Sequence, residues 1–389
     1  MKLLIYDWAA WFRNDLYDVL RKLNIDYKLF ECKFDNDLHN KNNDESFVDY
    51  FDKSVDTTGF DAVFSINYWP MISVACEKKG IKYISWSYDS PIDIENPEET
   101  FGNSCNYIFL YDRFEAEKYI EAGYRNVYHM PLGINFERFE KYSSSMKKCD
   151  PYRAEVSFVG GLYNNSFNEV SSCLDDNAKS VLQKIIELQL NMGPAKFVLD
   201  QLLTDGLVTL VSNEIVNATG KTANITKKHI EYMLAQEVTR RERIIILNMC
   251  GGRFNTNLYS GQTFDILKDV NQKSTVDYFT QMPLVFAGSK INLNPASYAI
   301  RSGVSLRAFD VLACGGFLLS SYKSENKDTF EIGKEMDEYT SIGEAIEKIE
   351  FYLQHDELRE SIAKAGRERV RRDHNMKDRL LDMFKIAEI

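Results

Sequence analysis

The sequence predicts an α/β protein with two domains, each built on a doubly wound parallel sheet. Three observations predict this fold. The chain has 389 residues, a length that suits two domains of about 150 to 200 residues each. Short apolar segments typical of strands alternate with helical segments through the first third of the chain. A polar stretch at 141–148 then precedes a new strand-like segment at 155–159, so a second sheet is expected to begin there.

The first domain is predicted to cover residues 1–145. Its strands are expected at residues 3–6, 27–30, 62–66, 83–86, 107–110 and 127–130. Helices are expected between them, at 14–23, 71–79 and 114–122 among others. Repeated βα units indicate a parallel sheet, and such sheets bind ligands beyond the carboxyl ends of their strands.

The second domain is predicted to cover residues 146–389. A helical excursion is expected at 166–243, after the first strand of this domain. Strand-like segments resume at 244–247, 258–259, 291–293 and 317–319, and the last 45 residues are expected to be helical.

The composition excludes several classes of function. The net charge of −11 argues against a nucleic-acid partner. Seven scattered cysteines without a CxxC pair, and only five histidines, indicate a reducing, cytoplasmic compartment and no zinc site. The DND tripeptide at 35–37 has no strand beside it, so it is interpreted as a solvated loop, and no essential metal or cofactor is expected.

No run of 18 apolar residues exists, so no transmembrane segment is expected. Four arginines crowd the C-terminal helical region, at positions 367, 369, 371 and 372. They are interpreted as a solvated helix face, and the alternative is peripheral contact with a membrane surface or docking onto another domain.

The segment 291–319 carries the strongest chemical signal. A strand ends at Asn294, and Ser302 and Gly303 lead into a helix whose N–H groups and dipole favour a phosphate. Arg307 is placed to bond a diphosphate. Asp310, one turn further on, is placed to accept the hydroxyls of a ribose. The alternative is an ordinary βαβ unit with a tight glycine turn.

Two further loops are candidates for ligand contact. Asp89 follows a strand of the first domain and is a candidate general base, or else a helix cap or turn former. Trp8, Trp11 and Arg13 follow the first strand, where the indoles would stack on a sugar ring or pack beneath the loop.

A glycine pair follows the first strand of the second domain. Gly160 and Gly161 allow the backbone to approach a ligand closely, and Tyr163 follows them. The alternative is a plain turn from strand to helix.

The segment KINLNPASYAIRSGVSLRAFDVLACGGFLLSSY resembles the donor-binding segment of glycosyltransferases with the two-domain GT-B fold. Their motif has two Glu, which fall here on Ser302 and Asp310. Asp310 keeps the carboxylate that holds the ribose in that family, whereas Ser302 lacks the first Glu, which contacts the donor sugar. In the same family the loop at Gly160, Gly161 and Tyr163 lies beneath the donor diphosphate.

A closer resemblance is to the CgeB-like, or spore-maturation-protein-like, bacterial subfamily. It is carried by YISWSYDSPIDI, CNYIFLYDRFEAEKY, VYHMPLGINFERF and VSFVGGLYNN in the first half, and by FEIGKEMDEYTSIGEAIEKI and FYLQHDELRESIAKAGRERVRRDH near the end. The resemblance implies two Rossmann-like domains facing across a cleft, with the last helix crossing back onto the first domain.

The function implied is metal-independent transfer of a hexosyl or related sugar from a nucleotide-sugar donor. A UDP-sugar is the favoured donor, and Asp89 and Arg307 are the catalytic candidates. The acceptor stays open between a cell-surface glycan, a protein and a small molecule. The alternatives are a nucleotide-sugar epimerase of the same fold and a non-catalytic nucleotide-sugar-binding protein. A Rossmann dehydrogenase is disfavoured because no GxGxxG follows the first strand.

Overall fold

The computed structural model describes residues 1–10, 12–31, 45–94, 96–143, 150–163, 165–220 and 225–389. It divides into two compact units. The first unit comprises Met1–Lys141, Ser302–Phe309 and Arg369–Ile389, and the second comprises Tyr142–Arg301 and Asp310–Glu368. The predicted boundary between residues 145 and 146 lies outside the described residues and stays a prediction.

The first unit contains a parallel sheet of six described strands in the order β2-β1-β3-β4-β5-β6. The strands are β1 Lys2–Tyr6, β2 Asp26–Phe30, β3 Ala62–Ile66, β4 Lys82–Trp86, β5 Asn106–Leu110 and β6 Val127–His129. The central strand β3 is buried at every residue, as expected for a sheet covered on both faces. The predicted strands of the first half are confirmed.

Helices cover this sheet and connect its strands. They are α1 Arg13–Lys22, α2 Glu45–Ser54, α3 Pro70–Lys79, α4 Arg113–Glu121 and α5 Phe136–Ser143. Their ends follow from local sequence. Pro70 fits the first turn of α3, where its missing N–H costs no hydrogen bond, and Gly80 ends that helix in the left-handed region.

The second unit contains another parallel sheet of six described strands, in the order β12-β11-β10-β7-β8-β9. The strands are β7 Ala154–Val159, β8 Thr256–Tyr259, β9 Asn271–Lys273, β10 Ser289–Asn294, β11 Leu318–Ser321 and β12 Asp337–Tyr339. Two parallel sheets with flanking helices confirm the predicted pair of Rossmann-like domains. Because β7 and β10 are neighbours, the loops that follow them emerge side by side.

The predicted helical excursion is confirmed between β7 and β8. Its helices are α6 Phe167–Cys173, α7 Asp176–Met192, α8 Leu199–Leu202, α9 Asp205–Thr219 and α10 Lys227–Gly251. They enclose an apolar core of their own, which Tyr298 and Ala299 from the loop after β10 join. The excursion is therefore packed onto a strand-end loop of the sheet.

The prediction of a strand at 244–247 is wrong, because these residues lie inside α10. The run of four apolar residues suggested a strand. In the helix, Ile244, Leu247 and Cys250 are buried against the second sheet, whereas Ile245 is exposed. A short apolar run does not distinguish a buried strand from a buried stretch of helix, and the helical period accounts for the burial observed here.

The remaining helices follow β9. They are α11 Met282–Gly288, α12 Leu306–Ala313, α13 Asn326–Thr329, α14 Ile342–Gln354, α15 Asp356–Asp373 and α16 Met376–Ile386. Helix α16 belongs to the first unit and contacts α1 there. Its start is fixed by the backbone, since Met376 N–H donates to the Ile134 carbonyl at 2.9 Å.

The arginines of α15 are engaged in local contacts. Arg369 and Arg372 bond Asp373 at 2.7 and 2.8 Å, and Arg371 lies 4.0 Å from Glu140. Arg367 donates to the Ala313 carbonyl. Of the helices described, none combines the length and the apolar character needed to cross a membrane.

Candidate functional site

Asp89 lies just beyond the carboxyl end of β4 and is held from the neighbouring strand end. Asn67, which follows β3, donates from Nδ2 to Asp89 Oδ2 at 2.7 Å. Its Oδ1 accepts the backbone N–H groups of Tyr88 at 2.8 Å and of Asp89 at 3.2 Å. One side chain thus fixes both the backbone and the carboxylate of the candidate base.

The surroundings of Asp89 suit a proton acceptor. Desolvation by the surrounding protein raises the pKa of Asp89, the hydrogen bond from Asn67 lowers it, and the Asp93 carboxylate adds to the rise. The side chain is nevertheless exposed, so a substrate hydroxyl can reach it. A carboxylate with a raised pKa and an open face can act as a general base near neutral pH.

Asn67 is itself held in an unusual backbone conformation. Its φ is 61°, in the left-handed region that non-glycine residues rarely adopt. The buried Ser65 hydroxyl donates to its carbonyl at 2.5 Å and also contacts the buried Tyr83 hydroxyl at 2.7 Å. Strain of this kind, on the order of 1–3 kcal/mol, persists only where neighbouring contacts enforce it. The network beneath β3 therefore aims the Asn67 side chain at Asp89.

The loop after β1 presents one of the two predicted indoles. Trp8 is half-buried, donates from Nε1 to the Ile66 carbonyl at 2.8 Å and meets Trp69 edge-on at 5.5 Å. Arg13 bonds Asp7 Oδ1 at 3.2 Å and the Trp8 carbonyl at 3.3 Å. Both predicted residues support the loop, and Trp8 remains partly exposed. Trp11 lies outside the described residues.

Ser302 and Gly303 dock onto the start of α4. The Ser302 hydroxyl donates to Asp112 Oδ1 at 2.6 Å, and its oxygen accepts the Phe114 N–H at 2.9 Å. Asp112 also caps α4. A methyl group on Gly303 would lie 2.9 Å from ring carbons of Tyr111, so only glycine fits there. These contacts hold the chain entering α12 by backbone and hydroxyl groups.

Helix α12 carries Arg307 and Asp310, one turn apart. Asp310 is only 1% exposed, and its Oδ1 accepts the Tyr278 hydroxyl at 3.0 Å. Arg307 is partly exposed. The Tyr278 bond holds the Asp310 carboxylate in one orientation.

The loop after β7 is ordered around the predicted glycine pair. Gly161 is exposed, and its carbonyl accepts a hydrogen bond from Arg243 at 2.6 Å. Tyr163 has a φ of 62° and lies with its ring 4.5 Å from the Arg243 guanidinium. A Cβ atom on Gly160 would lie 3.0 Å from the Phe158 ring, so a larger side chain would crowd it. The loop thus has a fixed backbone beside the carboxyl end of β7.

Asn294 ends β10 and joins it to the next strand. Its Nδ2 donates to Ser320 Oγ at 3.0 Å, and that hydroxyl lies 3.2 Å from the Asn294 carbonyl. Asn294 is 6% exposed. These contacts stabilise the strand ends next to the predicted donor loop.

A buried carboxyl group lies beneath the same strand ends. Glu242 of α10 is fully buried, and neither oxygen makes a hydrogen bond of normal geometry with any described residue. Burial raises the pKa of Glu242 to about 7, although Lys323 and Arg243 act in the opposite direction. A carboxyl group with such a pKa is largely protonated below neutral pH.

Replacing Glu242 with Gln should stabilise the protein above pH 7. The folded state binds the Glu242 proton more tightly than the unfolded state does. Its favourable contribution is therefore complete below the unfolded pKa of 4.5 and is lost as pH rises through about 7. The loss is on the order of 3 kcal/mol for a shift of this size. Glu242→Gln should flatten the pH dependence of the melting temperature between pH 5 and 8.

Glu237 provides the matched control on the same helix. It is equally buried, but hydrogen bonds from Arg240 and Arg241 outweigh burial and lower its pKa. Its stabilising contribution is present above pH 4.5 and lost on acidification, so Glu237→Gln should destabilise at pH 8. If the melting temperature of Glu242→Gln depended on pH as that of wild type does, the raised pKa of Glu242 would be contradicted.

Among the described residues, no group of three or more His, Cys, Asp or Glu side chains is arranged to hold a metal ion. The DND tripeptide at 35–37 lies outside the described residues.

Three residues that hold the candidate groups in place were not predicted from the sequence. Asn67, Tyr278 and Arg243 lie 22, 32 and 82 residues from the groups they hold. A polar residue directly after a buried strand was an available signal for Asn67. Tyr278 and Arg243 had no local signal, because a loop and a long helix bring them to the site.

Comparison with known proteins identifies the fold. Residues 226–385 match a family model described as glycosyl transferase-like. No match was found among proteins with curated annotation.

Solved structures of other proteins align with this chain over its whole length and have the same fold. Sucrose-phosphate synthase from Thermosynechococcus elongatus aligns with a TM-score of 0.58 at 12% identity, over 100% of this chain and 98% of that one. Anabaena HepE in complex with UDP-glucose aligns with a TM-score of 0.54 at 10% identity, over 100% and 99%. A UDP-forming α,α-trehalose-phosphate synthase from Burkholderia xenovorans aligns with a TM-score of 0.52 at 13% identity, over 100% and 99%. The chain has the GT-B fold, with two Rossmann-like domains.

Proposed function

We propose that this protein is a glycosyltransferase that moves a hexosyl or related sugar from a nucleotide-sugar donor to an acceptor hydroxyl. The observation that carries the proposal is the Asp310 carboxylate on α12, buried and oriented by Tyr278. It lies inside the segment that matches the glycosyl transferase-like model. A carboxylate there is suited to hold the ribose of the donor.

A UDP-sugar is the favoured donor, an inference supported by the UDP-glucose complex of the structurally similar HepE. The quoted motifs of both halves support a CgeB-like assignment within the GT-B enzymes. A cytoplasmic location is supported by the five described cysteines, none of which forms a disulfide within the described chain.

The proposal assigns separate roles to the candidate residues. Asp89 accepts the proton of the attacking hydroxyl, and Trp8 offers a stacking surface for the acceptor. The loop at 160–163 supports the donor diphosphate, and Arg307 bonds the charge that develops as the diphosphate leaves. Stabilisation of a leaving group by donors already in place is a large catalytic term.

A thermal-shift screen against nucleoside diphosphates and their sugars tests the proposal. A ligand at 100 times its Kd stabilises the protein by about 2.7 kcal/mol. We expect UDP and a UDP-sugar to raise the melting temperature and nucleoside monophosphates to do so less. A screen in which no nucleotide raises the melting temperature would overturn the proposal.

Catalysis is expected to survive chelation. Arg307 and the N–H groups at the start of α12 are proposed to take the part that a divalent cation plays in other sugar transferases. Turnover should therefore be unchanged after dialysis against EDTA, measured as nucleoside diphosphate release. Complete loss on chelation, restored by Mg²⁺ or Mn²⁺, would refute metal independence.

One observation favours a non-catalytic alternative. The family motif has a Glu where this chain has Ser302, and the Ser302 hydroxyl bonds Asp112 and the Phe114 N–H. A protein that binds a nucleotide sugar without transferring it would fit this substitution. Turnover of the donor separates the two functions.

A further inference from the structure

We propose that Arg243 of α10 is a positioning residue for the donor. It ties the loop after β7 to the loop after β10, and so fixes the backbone on which the donor diphosphate rests. The inference rests on the proposed function, since it assumes that these loops bind a nucleotide sugar.

The Arg243 guanidinium bridges two neighbouring strand ends. Nη1 donates to the Gly161 carbonyl at 2.6 Å, and Nε and Nη2 donate to the Pro295 carbonyl at 3.1 and 2.8 Å. Gly161 lies two residues beyond β7, and Pro295 directly follows β10. Because β7 and β10 pair in the sheet, one planar group can span both loops.

The chemistry of the contact calls for arginine. A guanidinium presents several N–H donors in a rigid plane, whereas a lysine ammonium is a single point on a flexible stem. Two aromatic rings also lie against the Arg243 guanidinium, with the Phe158 centroid at 5.0 Å and the Tyr163 centroid at 4.5 Å. Tyr163 keeps its left-handed backbone against this plane, so the guanidinium shapes the loop beyond the two carbonyls.

The charge of Arg243 is not neutralised locally. Arg243 is 8% exposed, and within the described chain its hydrogen-bond acceptors are carbonyl oxygens, with no ion pair. The adjacent carboxyl group of Glu242 has a pKa of about 7 and is partly protonated at neutral pH. A buried positive charge beneath the loop at 160–163 favours an anionic ligand above it.

Helix α10 contacts the two loops at two more points. Thr239, one turn before Arg243, accepts the Tyr298 N–H at 2.9 Å. Glu237 accepts the Asn165 side-chain amide at 3.1 Å. The helical excursion therefore braces the strand-end loops through its longest helix, and Arg243 is the contact that joins the two loops to each other.

The test compares Arg243→Met with Arg241→Met in the full chain. Arg241 lies on the same helix and bonds Glu237 and Gln183, both on helices of the excursion. UDP affinity should fall about 10- to 100-fold in Arg243→Met, because a loop that is no longer held in place must be ordered when the ligand binds. In Arg241→Met UDP affinity should change by less than about twofold, because Arg240 still bonds Glu237. The donor KM should rise more than kcat falls, whereas a simple loss of folded protein would lower kcat alone.

Two further variants separate a loss of UDP binding from a loss of folded protein. Arg243→Lys keeps the charge but reaches one carbonyl, so its UDP affinity should lie between wild type and Arg243→Met. Guanidinium ion at millimolar concentration should partly restore UDP binding to Arg243→Gly and leave Arg241→Gly unchanged.

The inference is overturned if wild type binds UDP and every folded Arg243 variant binds it equally well, whatever its melting temperature. If wild-type protein binds no nucleoside diphosphate, the proposed function fails first, and the inference fails with it.

Discussion

Asp89→Asn should lower kcat for sugar transfer by about 10²- to 10⁴-fold, the usual contribution of a general base. The amide of Asn cannot accept the proton that the acceptor hydroxyl loses as it attacks the donor. Affinity for UDP should stay within about twofold of wild type, because Asp89 is proposed to face the acceptor. Initial rates of product formation and a UDP titration measure the two quantities.

Asp93→Asn is the matched control, since Asp93 is the neighbouring carboxylate that raises the pKa of Asp89. Asp93→Asn should keep most of the activity. It should also shift the acid limb of the pH–rate profile to lower pH, because removing the Asp93 charge lowers the pKa of Asp89. A full rate in Asp89→Asn would assign Asp89 to the loop structure that Asn67 also stabilises. Equal losses of activity in Asp89→Asn and Asp93→Asn would contradict the assignment of Asp89 as the general base.

Arg307→Ala should lower kcat by about 10²- to 10³-fold, the usual cost of removing one donor to a developing charge. UDP affinity should fall less, since the interaction strengthens as the diphosphate leaves. Asp310→Asn should instead weaken UDP binding by about 1 to 3 kcal/mol, as for a lost hydrogen bond to a charged group. Titration calorimetry with UDP and steady-state kinetics separate these effects.

The competing interpretation makes Asp310 a structural residue of α12. It is 1% exposed and bonds the Tyr278 hydroxyl, so Asp310→Asn would then lower the melting temperature and leave UDP affinity unchanged. Tyr278→Phe is the control variant. It removes the orienting hydroxyl but keeps the carboxylate, so it should weaken UDP binding less than Asp310→Asn does.

The first sheet could be predicted from sequence because its strands are short apolar runs separated by polar or glycine-containing turns. Residues 62–66 form such a run, and the structure buries every one of them. The run at 244–247 looked the same locally, yet it belongs to a helix of 25 residues. What decides its state is packing along the face of α10 against the second sheet, which is a tertiary property that no local window contains.

The candidate residues at the strand ends could be predicted from the sequence, whereas the residues that hold them in place could not. Asp89 lies just beyond β4 and Asp310 lies on the helix after β10, so each could be placed near the carboxyl end of a strand in its own sheet. Ser302 was expected at a helix start, but α12 begins at Leu306 and the Ser302 hydroxyl bonds Asp112. Pairings such as Ser302–Asp112 join residues 190 positions apart, and only the folded chain shows them.

Turnover of UDP-glucose without an added acceptor tests the central claim most directly, with UDP release followed over hours. A glycosyltransferase passes the sugar slowly to water, so we predict UDP release above background in wild type and its loss in Asp310→Ala. Detection of free sugar in equal amount would confirm that the glycosidic bond is broken. A wild-type protein that binds UDP-glucose but releases no UDP, alone or with a panel of glycoside acceptors, would contradict the account.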